Sequence, residues 1–313
     1  MDTPETELPP QSHRETLSPI SSLSMPRRLS PSASDSLDLI RAVAACAVMF
    51  GHLRTFFFVD FQHLSHKSWP LEALYFFAGF AHQAVIVCFV LSGFLISSAV
   101  IRSPVLGKWS WRDYAVNRAS RLYVVLIPGL LLGFLWDRLG SWLFAAKEIY
   151  AHPLADLGLA VPLRNLNPGA FFGNLFFLQT ILREPFGSNG PLWSLANEFW
   201  YYLLFAVAFG AGLAFARHRL RSAIPLTCLV LLIAIFVGRG ILIGFLIWLA
   251  GTTLVFLHSK IQLRSRSAVL VLLSLLSVLA GVSLCRACTP MGPPSQRSGT
   301  RFCILAFSLR FAP

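Results

Sequence analysis

The chain has 313 residues, of which 55% are hydrophobic and only 13% are charged. A soluble domain carries about 25% charged residues, so this composition excludes an ordinary soluble protein. The mean hydropathy of +0.64 and the abundance of Phe and Trp also exclude extended disorder. The composition therefore predicts an all-α fold, a polytopic bundle of transmembrane helices.

The formal net charge of the chain is +12. In a soluble protein such an excess of bases suggests a nucleic-acid partner. Here the basic residues lie in short connections between apolar runs, which is the pattern that the positive-inside rule produces. We therefore expect a lipid bilayer and no nucleic acid among the partners of this protein.

The apolar runs, taken in chain order, predict the domain organisation. Residues 1–36 are rich in Ser and Pro and predict a disordered cytoplasmic tail. Seven membrane spans follow, at about 37–59, 82–101, 122–136, 199–216, 223–238, 241–257 and 268–284. The run 171–182 is apolar but shorter than a span, which is typical of a re-entrant or interfacial segment.

The charge of the connections predicts the orientation. Three connections, at 102–121, 217–221 and 258–266, together hold eleven bases and one acid. Short cytoplasmic connections are the ones enriched in Lys and Arg. All three face the cytoplasm only if the N-terminus is cytoplasmic and residues 171–182 do not cross. Residues 137–198 then form a long outer loop.

The last residues, 285–313, differ from the rest of the chain. They mix Pro, Gly and Arg without periodicity. We expect an irregular tail of the kind that a frameshift produces. The membrane domain is then residues 37–284, with its C-terminal part incomplete.

The first predicted span contains two ionisable residues, Arg41 and His52. They are eleven residues apart, so both project from one face of a helix with an axial separation of about 16 Å. Ionisable residues inside a span normally face the bundle interior and are functional. The alternatives are a flanking anchor for Arg41 and a satisfied interior histidine for His52.

This pair suits a particular chemistry. Arg binds phosphate groups through paired hydrogen bonds, and neutral His accepts a proton from a hydroxyl as a general base. Eleven helical residues rise by about 16 Å, and this separation resembles the reach of an extended phosphopantetheine arm. A cytosolic acyl thioester would place its phosphates at Arg41 and its reacting carbon near His52.

A second polar motif opens the fourth predicted span. It reads Trp193-Ser-Leu-Ala-Asn-Glu198 and is followed by four aromatic residues. The predicted topology places it at the outer mouth of the span, level with His52. Glu198 would then orient His52, as an acid does in a general-base pair. The alternative is a solvated carboxylate in an interfacial aromatic belt.

With these residues, the chain resembles the acyltransferase 3 family of integral-membrane acyltransferases, of the O-antigen and exopolysaccharide O-acetylase type. The resemblance covers about residues 37–205. Its five motifs, in order, are Arg41 to His52, the F-V-L-S-G-F-L-I of residues 89–96, the basic pair Arg118 and Arg121, the N-x-x-F-L-Q of Asn174 to Gln179, and the W-S-L-x-x-E of Trp193 to Glu198. The chain departs from the family in the displaced Pro128 and in its seven spans, where the family usually has about ten.

The resemblance implies transfer of an acyl group, usually acetyl from acetyl-CoA, to a hydroxyl of an envelope or exported carbohydrate or glycolipid. It implies that His52 is catalytic, with Glu198 in support, and that Arg41 binds the donor. Arg118 and Arg121 are the further candidates for the donor phosphates. We predict no metal, because His63 and His66 form only a weak pair without a clear third ligand. The expected location is the inner (plasma) membrane of a bacterium.

Two other interpretations remain. Intramembrane Arg, Asp and His residues also form the proton or substrate path of a transporter, but inverted repeats are then expected and none is found. The irregular C-terminus instead favours an inactive, truncated acyltransferase remnant.

Overall fold

The computed structural model describes residues 31–58, 66, 68–105, 110–143 and 162–260. Within these residues the regular elements are all helices, which confirms the predicted all-α class. The α-helices are α1 (Pro31–Phe57), α2 (Trp69–Ala78), α3 (Ala81–Val105), α4 (Trp111–Leu143), α5 (Pro168–Leu175), α6 (Trp193–Ala216) and α7 (Leu220–Lys260). Two 3₁₀ turns, Pro162–Asn165 and Gly190–Leu192, flank α5.

Five helical segments of the described residues are long and apolar enough to cross a membrane. They are Pro31–Thr55, Trp69–Ser103, Trp111–Leu143, Gly190–Ala216 and Leu220–Phe256. Their outward faces carry large apolar side chains, such as Val124 on α4 and Ile235 on α7, which are 73% and 80% exposed. Such faces are unfavourable in water and favourable in lipid, so the chain is a multi-pass membrane protein.

Two helices begin earlier than the sequence predicted. α1 begins at Pro31, inside the predicted tail, of which residues 1–30 lie outside the described part. α4 begins at Trp111, so that Arg112, Arg118 and Arg121 lie on a helix and not in a connection. Hydropathy detects only the apolar part of a helix. The backbone hydrogen bonds continue through charged turns, because Arg is itself a good helix former.

Helix α7 consists of two arms that meet at Gly238. This residue has φ 75° and ψ 176°, a conformation that essentially only glycine adopts. The first arm runs antiparallel to α6, since Trp200 contacts Phe236 and Gly210 lies near Leu226. The second arm runs parallel to α6, and its contacts there are Tyr201 with Phe245 and Phe205 with Trp248.

The two arms of α7 therefore correspond to the two spans predicted at 223–238 and 241–257. The seventh predicted span, 268–284, and the tail 285–313 lie outside the described residues. The total of seven spans and the cytoplasmic N-terminus stay predictions.

The interior of the bundle lies where α3, α6 and the second arm of α7 meet. At the crossing of α3 and α7, a Cβ atom at Gly93 would collide with the backbone carbonyl of Trp248, and one at Gly251 would collide with that of Val90. Small residues at such crossings let helix backbones approach closely, which is how transmembrane helices pack without a hydrophobic driving force. Trp248 is fully buried at this crossing.

The segment 162–192 folds back against the bundle and does not cross it. The eight-residue α5 is too short for a span and is followed by turns, with left-handed backbone at Phe177 and Thr180. The buried amide of Asn174 fixes this segment, since its Nδ2 donates to the carbonyls of Ala170 and Glu184 and its Oδ1 accepts from the N–H of Phe186. The prediction that 171–182 is not a full span is confirmed.

Candidate active site

The two ionisable residues of α1 have different surroundings. Arg41 forms an ion pair with Asp38, one turn earlier, at 3.5 Å, and its side chain is 37% exposed. His52 is half-buried and forms no hydrogen bond or ion pair with the part of the chain that the structure describes. The backbone beside it is tightly packed, because a Cβ at Gly51 would collide with Ala81 at the start of α3. The imidazole is carried by its helix, and both nitrogens are without a partner among the described residues.

A hydrogen-bonded group of three side chains joins α3 to α6. Ser92 donates to Oε1 of Glu198 at 2.7 Å, and the hydroxyl of Tyr202 donates to the same oxygen. The two hydroxyl oxygens lie 3.2 Å apart. Glu198 and Tyr202 are one turn apart on α6, so both reach the same point of α3. We call Ser92, Glu198 and Tyr202 the carboxylate cluster.

Arg118 of α4 borders the carboxylate cluster. Its guanidinium lies 5.9 Å from the ring centroid of Tyr202 and 6.0 Å from that of Tyr114. The hydroxyl of Tyr114 donates to the backbone carbonyl of Tyr202 at 2.9 Å, which fixes α4 against α6 at this level. The Nε atom of Arg118 is buried and has no hydrogen-bond partner among the described residues. A buried donor without a hydrogen-bond partner is costly, so this guanidinium is suited to receive an anion.

The thiol of Cys88 lies within electrostatic range of both Arg41 and the carboxylate cluster. Cys88 lies one turn before Ser92 on α3, and it interacts electrostatically with both Glu198 and Arg41. Arg41 and Arg118 thus flank the cluster from α1 and α4. Arg121, the other predicted donor-binding residue, is exposed on α4.

His52 lies apart from this group. α1 and α3 run antiparallel, since Gly51 packs against Ala81 and Leu37 packs in one group with Val90 and Leu91. Ser92 is eleven residues beyond Ala81, which is about 16 Å along the helix axis. The structure thus places the carboxylate cluster at the level of Arg41, and it does not bring Glu198 beside His52.

The start of α6 explains this difference from the sequence prediction. Leu192 packs near Gly129, in the middle of α4, and Asn189 donates to the carbonyl of Gly129 at 3.0 Å. The motif from Trp193 to Glu198 therefore begins inside the bundle and not at its outer mouth. The role of Glu198 in catalysis stays a prediction, but a direct contact with His52 is not part of this arrangement.

Sequence reasoning did not single out Ser92 and Tyr202 as site residues. Ser92 lies in the F-V-L-S-G-F-L-I run, where one hydroxyl among apolar residues was the available signal. Tyr202 lies four residues after Glu198, the spacing that places two side chains on one helix face. No group of three potential metal ligands occurs among the described residues, and His63 lies outside them.

The helices and the ionisable group within them define a multi-pass membrane protein with a polar site inside its bundle. The chain belongs to the acyltransferase 3 family, because the family described as "Acyltransferase domain" matches residues 34–309. This match extends over most of the tail 285–313, which we expected to be foreign to the family.

A curated relative is the O-acetyl transferase of Shigella phage Sf6, which is 28% identical over 177 residues. The aligned region covers 56% of this chain and 46% of the relative, so the chain spans about half the length of that protein. No solved structure matches the chain.

Proposed function

We propose that this protein transfers an acyl group from acyl-CoA to a hydroxyl of an envelope or exported carbohydrate, and that the acyl group is acetyl. The observation that carries the proposal is the axial arrangement of the site. Arg41 lies at the level of the carboxylate cluster and Arg118 borders the cluster, whereas His52 lies about 16 Å further along α1, which is the rise of eleven helical residues. This separation suits a donor whose phosphates and thioester are far apart.

The two arginines bind the phosphates of the donor. The buried, unpaired Nε of Arg118 and the half-exposed guanidinium of Arg41 supply hydrogen bonds to phosphate oxygens. The pantetheine arm then extends along α1 and brings the thioester carbonyl to His52. Holding both reactants in this geometry lowers the entropic part of the barrier.

His52 acts as the general base. Its free nitrogen takes the proton of the acceptor hydroxyl, whose oxygen attacks the thioester carbonyl. The carbon–sulfur bond breaks, and the CoA thiolate leaves and takes up a proton. An acyl-His intermediate, which the acceptor oxygen attacks in a second step, satisfies the same geometry. The proposal assigns this reaction to a bacterial inner membrane, with a carbohydrate or glycolipid acceptor on the outer side; its support is that the chain is a multi-pass membrane protein of the acyltransferase 3 family.

The experiment is the transfer of labelled acetyl from acetyl-CoA in membranes that contain the full chain. The variant is His52→Ala, and the matched control is His66→Ala, an exposed histidine outside the bundle. Each sample is blotted for the protein. We expect label in envelope glycan with the wild type and the control, and at least a 100-fold loss with His52→Ala, the lower end of the usual contribution of a general base.

Normal transfer by a His52→Ala protein that accumulates would refute the role of His52. Absence of transfer by a wild-type protein that accumulates, with acetyl-CoA and envelope glycan present, would refute the proposed function.

A further inference from the structure

The carboxylate of Glu198 has one occupied and one available oxygen. Oε1 accepts hydrogen bonds from both Ser92 and Tyr202. Oε2 has no hydrogen-bond partner among the described residues, and it is not among the buried atoms that lack one. A carboxylate oxygen held in place and left accessible is arranged to accept a hydrogen bond from a ligand.

The position of Glu198 along the bundle decides which part of a ligand it meets. α4 and α6 run antiparallel, because Gly210 lies near Trp111 and Leu192 lies near Gly129. Glu198 is one turn from Tyr202, on the side away from the Trp111 end of α4. His52 also lies away from that end, beside the start of α3. Glu198 is therefore located between Arg118 and His52 along the bundle axis.

We infer that Glu198 binds the pantetheine arm of the donor, through a hydrogen bond from the hydroxyl or an amide N–H of that arm to Oε2. This inference rests on the proposed function. The carboxylate accepts hydrogen bonds from neutral N–H and O–H groups, and such charge-assisted bonds are about twice as strong as bonds between neutral groups. The pantetheine arm carries donors of both kinds next to the diphosphate.

The negative charge of Glu198 also limits how deep the donor enters. The phosphates bind at Arg118, beside Tyr202, and one turn further towards His52 they would meet the carboxylate of Glu198, whose like charge repels them. Attraction at one level and repulsion at the next fix the position of the donor along the axis. The thioester then stops at His52.

Donor truncation distinguishes this role from an action on His52. Three donors are compared: acetyl-CoA, S-acetylpantetheine, which lacks the phosphates, and S-acetyl-N-acetylcysteamine, which also lacks the hydroxyl and part of the arm. The proteins are wild type, Glu198→Gln, Arg118→Ala and the control Glu72→Gln, an exposed carboxylate of α2. For each combination of protein and acyl donor, kcat and KM are measured in membranes or nanodiscs with the full chain.

For Glu198→Gln we expect kcat/KM to fall about 10-fold with acetyl-CoA and with S-acetylpantetheine, which is the effect of losing a bond to a charged group. The loss should appear in KM and should shrink to less than about 2-fold with S-acetyl-N-acetylcysteamine, because a bond to the missing part of the arm cannot contribute. For Arg118→Ala the loss should appear with acetyl-CoA alone. Glu72→Gln should match the wild type with all donors.

A Glu198→Gln loss of the same size with all three donors, confined to kcat, would overturn the inference and favour an action on His52. Wild-type kinetics of Glu198→Gln with acetyl-CoA would also overturn it. In both cases the wild type is active and the proposed function stands. A wild type without transfer from any donor refutes the proposed function instead.

If Glu198→Gln does not accumulate, Tyr202→Phe provides the second variant. It keeps the carboxylate and removes one of its two hydroxyl donors. The inference predicts a loss of about 3-fold or more with the two donors that carry the arm, at the lower end for one hydrogen bond. An equal loss with the truncated donor overturns it.

Discussion

Ser92 of α3 and Glu198 of α6 meet in the interior of the bundle, where the serine hydroxyl donates to the carboxylate at 2.7 Å. The two residues lie 106 positions apart in the chain and belong to two different family motifs. Their contact joins the F-V-L-S-G-F-L-I run to the W-S-L-x-x-E run. The hydroxyl therefore has a structural reason to interrupt an otherwise apolar helix face.

Replacement of Ser92 by alanine should weaken donor binding more than it weakens the fold. After this change only the Tyr202 hydroxyl donates a hydrogen bond to Oε1 of Glu198 among the described residues, so the carboxylate of Glu198 is held less firmly. A hydrogen bond to a charged group contributes about 1.5–3 kcal/mol. If all of this energy is lost from the binding of CoA, its affinity falls about 10-fold or more. The measurement is the Kd of CoA for the protein in nanodiscs.

The control for this prediction is Ser103→Ala on the same helix. The hydroxyl of Ser103 donates to the carbonyl of Ala99 in its own helix and is exposed. A Kd for Ser92→Ala equal to that of Ser103→Ala would contradict the prediction.

The crossing of α3 and α7 should not tolerate a methyl group at Gly93. An added Cβ would overlap the backbone carbonyl of Trp248, which cannot move without shifting the second arm of α7. Overpacking of this kind costs about 1–3 kcal/mol. We expect Gly93→Ala to lower the thermal stability of the detergent-solubilised protein. Gly212→Ala is the matched control, because a Cβ there meets nothing within 4 Å, and equal melting temperatures for the two variants would refute the prediction.

Asn174 should matter for stability and not for the affinity of the donor. Its buried amide makes three hydrogen bonds to the backbone of residues 170–186, and a leucine there would leave the Phe186 N–H and two carbonyls without their partner. Each buried group left unpaired costs about 1–3 kcal/mol. We expect Asn174→Leu to reduce protein accumulation and the thermal midpoint, while the remaining folded protein keeps the wild-type Kd for CoA. A wild-type midpoint with a weakened Kd would reverse this assignment.

The sequence predicted those features of the site that depend on a single helix. The common face of Arg41 and His52 follows from the helical period alone. The failure of residues 171–182 to cross follows from their length. The partner of Glu198 could not be predicted in this way, because it depends on how far α6 extends beside α4. The return of residues 162–192 into the bundle places Leu192 near Gly129 and so moves Glu198 inward.

The charged turns of α4 show a second limit of the sequence prediction. Connection charge alone assigns Arg118 to a basic connection and indicates only orientation, and the family resemblance is what makes Arg118 and Arg121 candidates for the donor phosphates. In the structure it lies on a helix and faces Tyr114 and Tyr202, with its Nε buried. In the sequence, an Arg of a cytoplasmic connection cannot be distinguished from an Arg that binds a ligand. Only the packing of α4 against α6 separates Arg118 from the exposed Arg121.

The reversal of α7 at Gly238 gives the most direct test of the fold. The residue has φ 75° and ψ 176°, and a Cβ there would have open space around it, so only backbone strain acts on a substitution. A non-glycine residue in this conformation costs about 1–3 kcal/mol. Gly238→Ala should therefore lower the thermal midpoint, whereas Gly212→Ala, in a helix with equally open space, should leave it unchanged or raise it, since alanine favours helices. A Gly238→Ala protein as stable as the Gly212→Ala control would contradict a reversal at this residue and favour one continuous helix from Leu220.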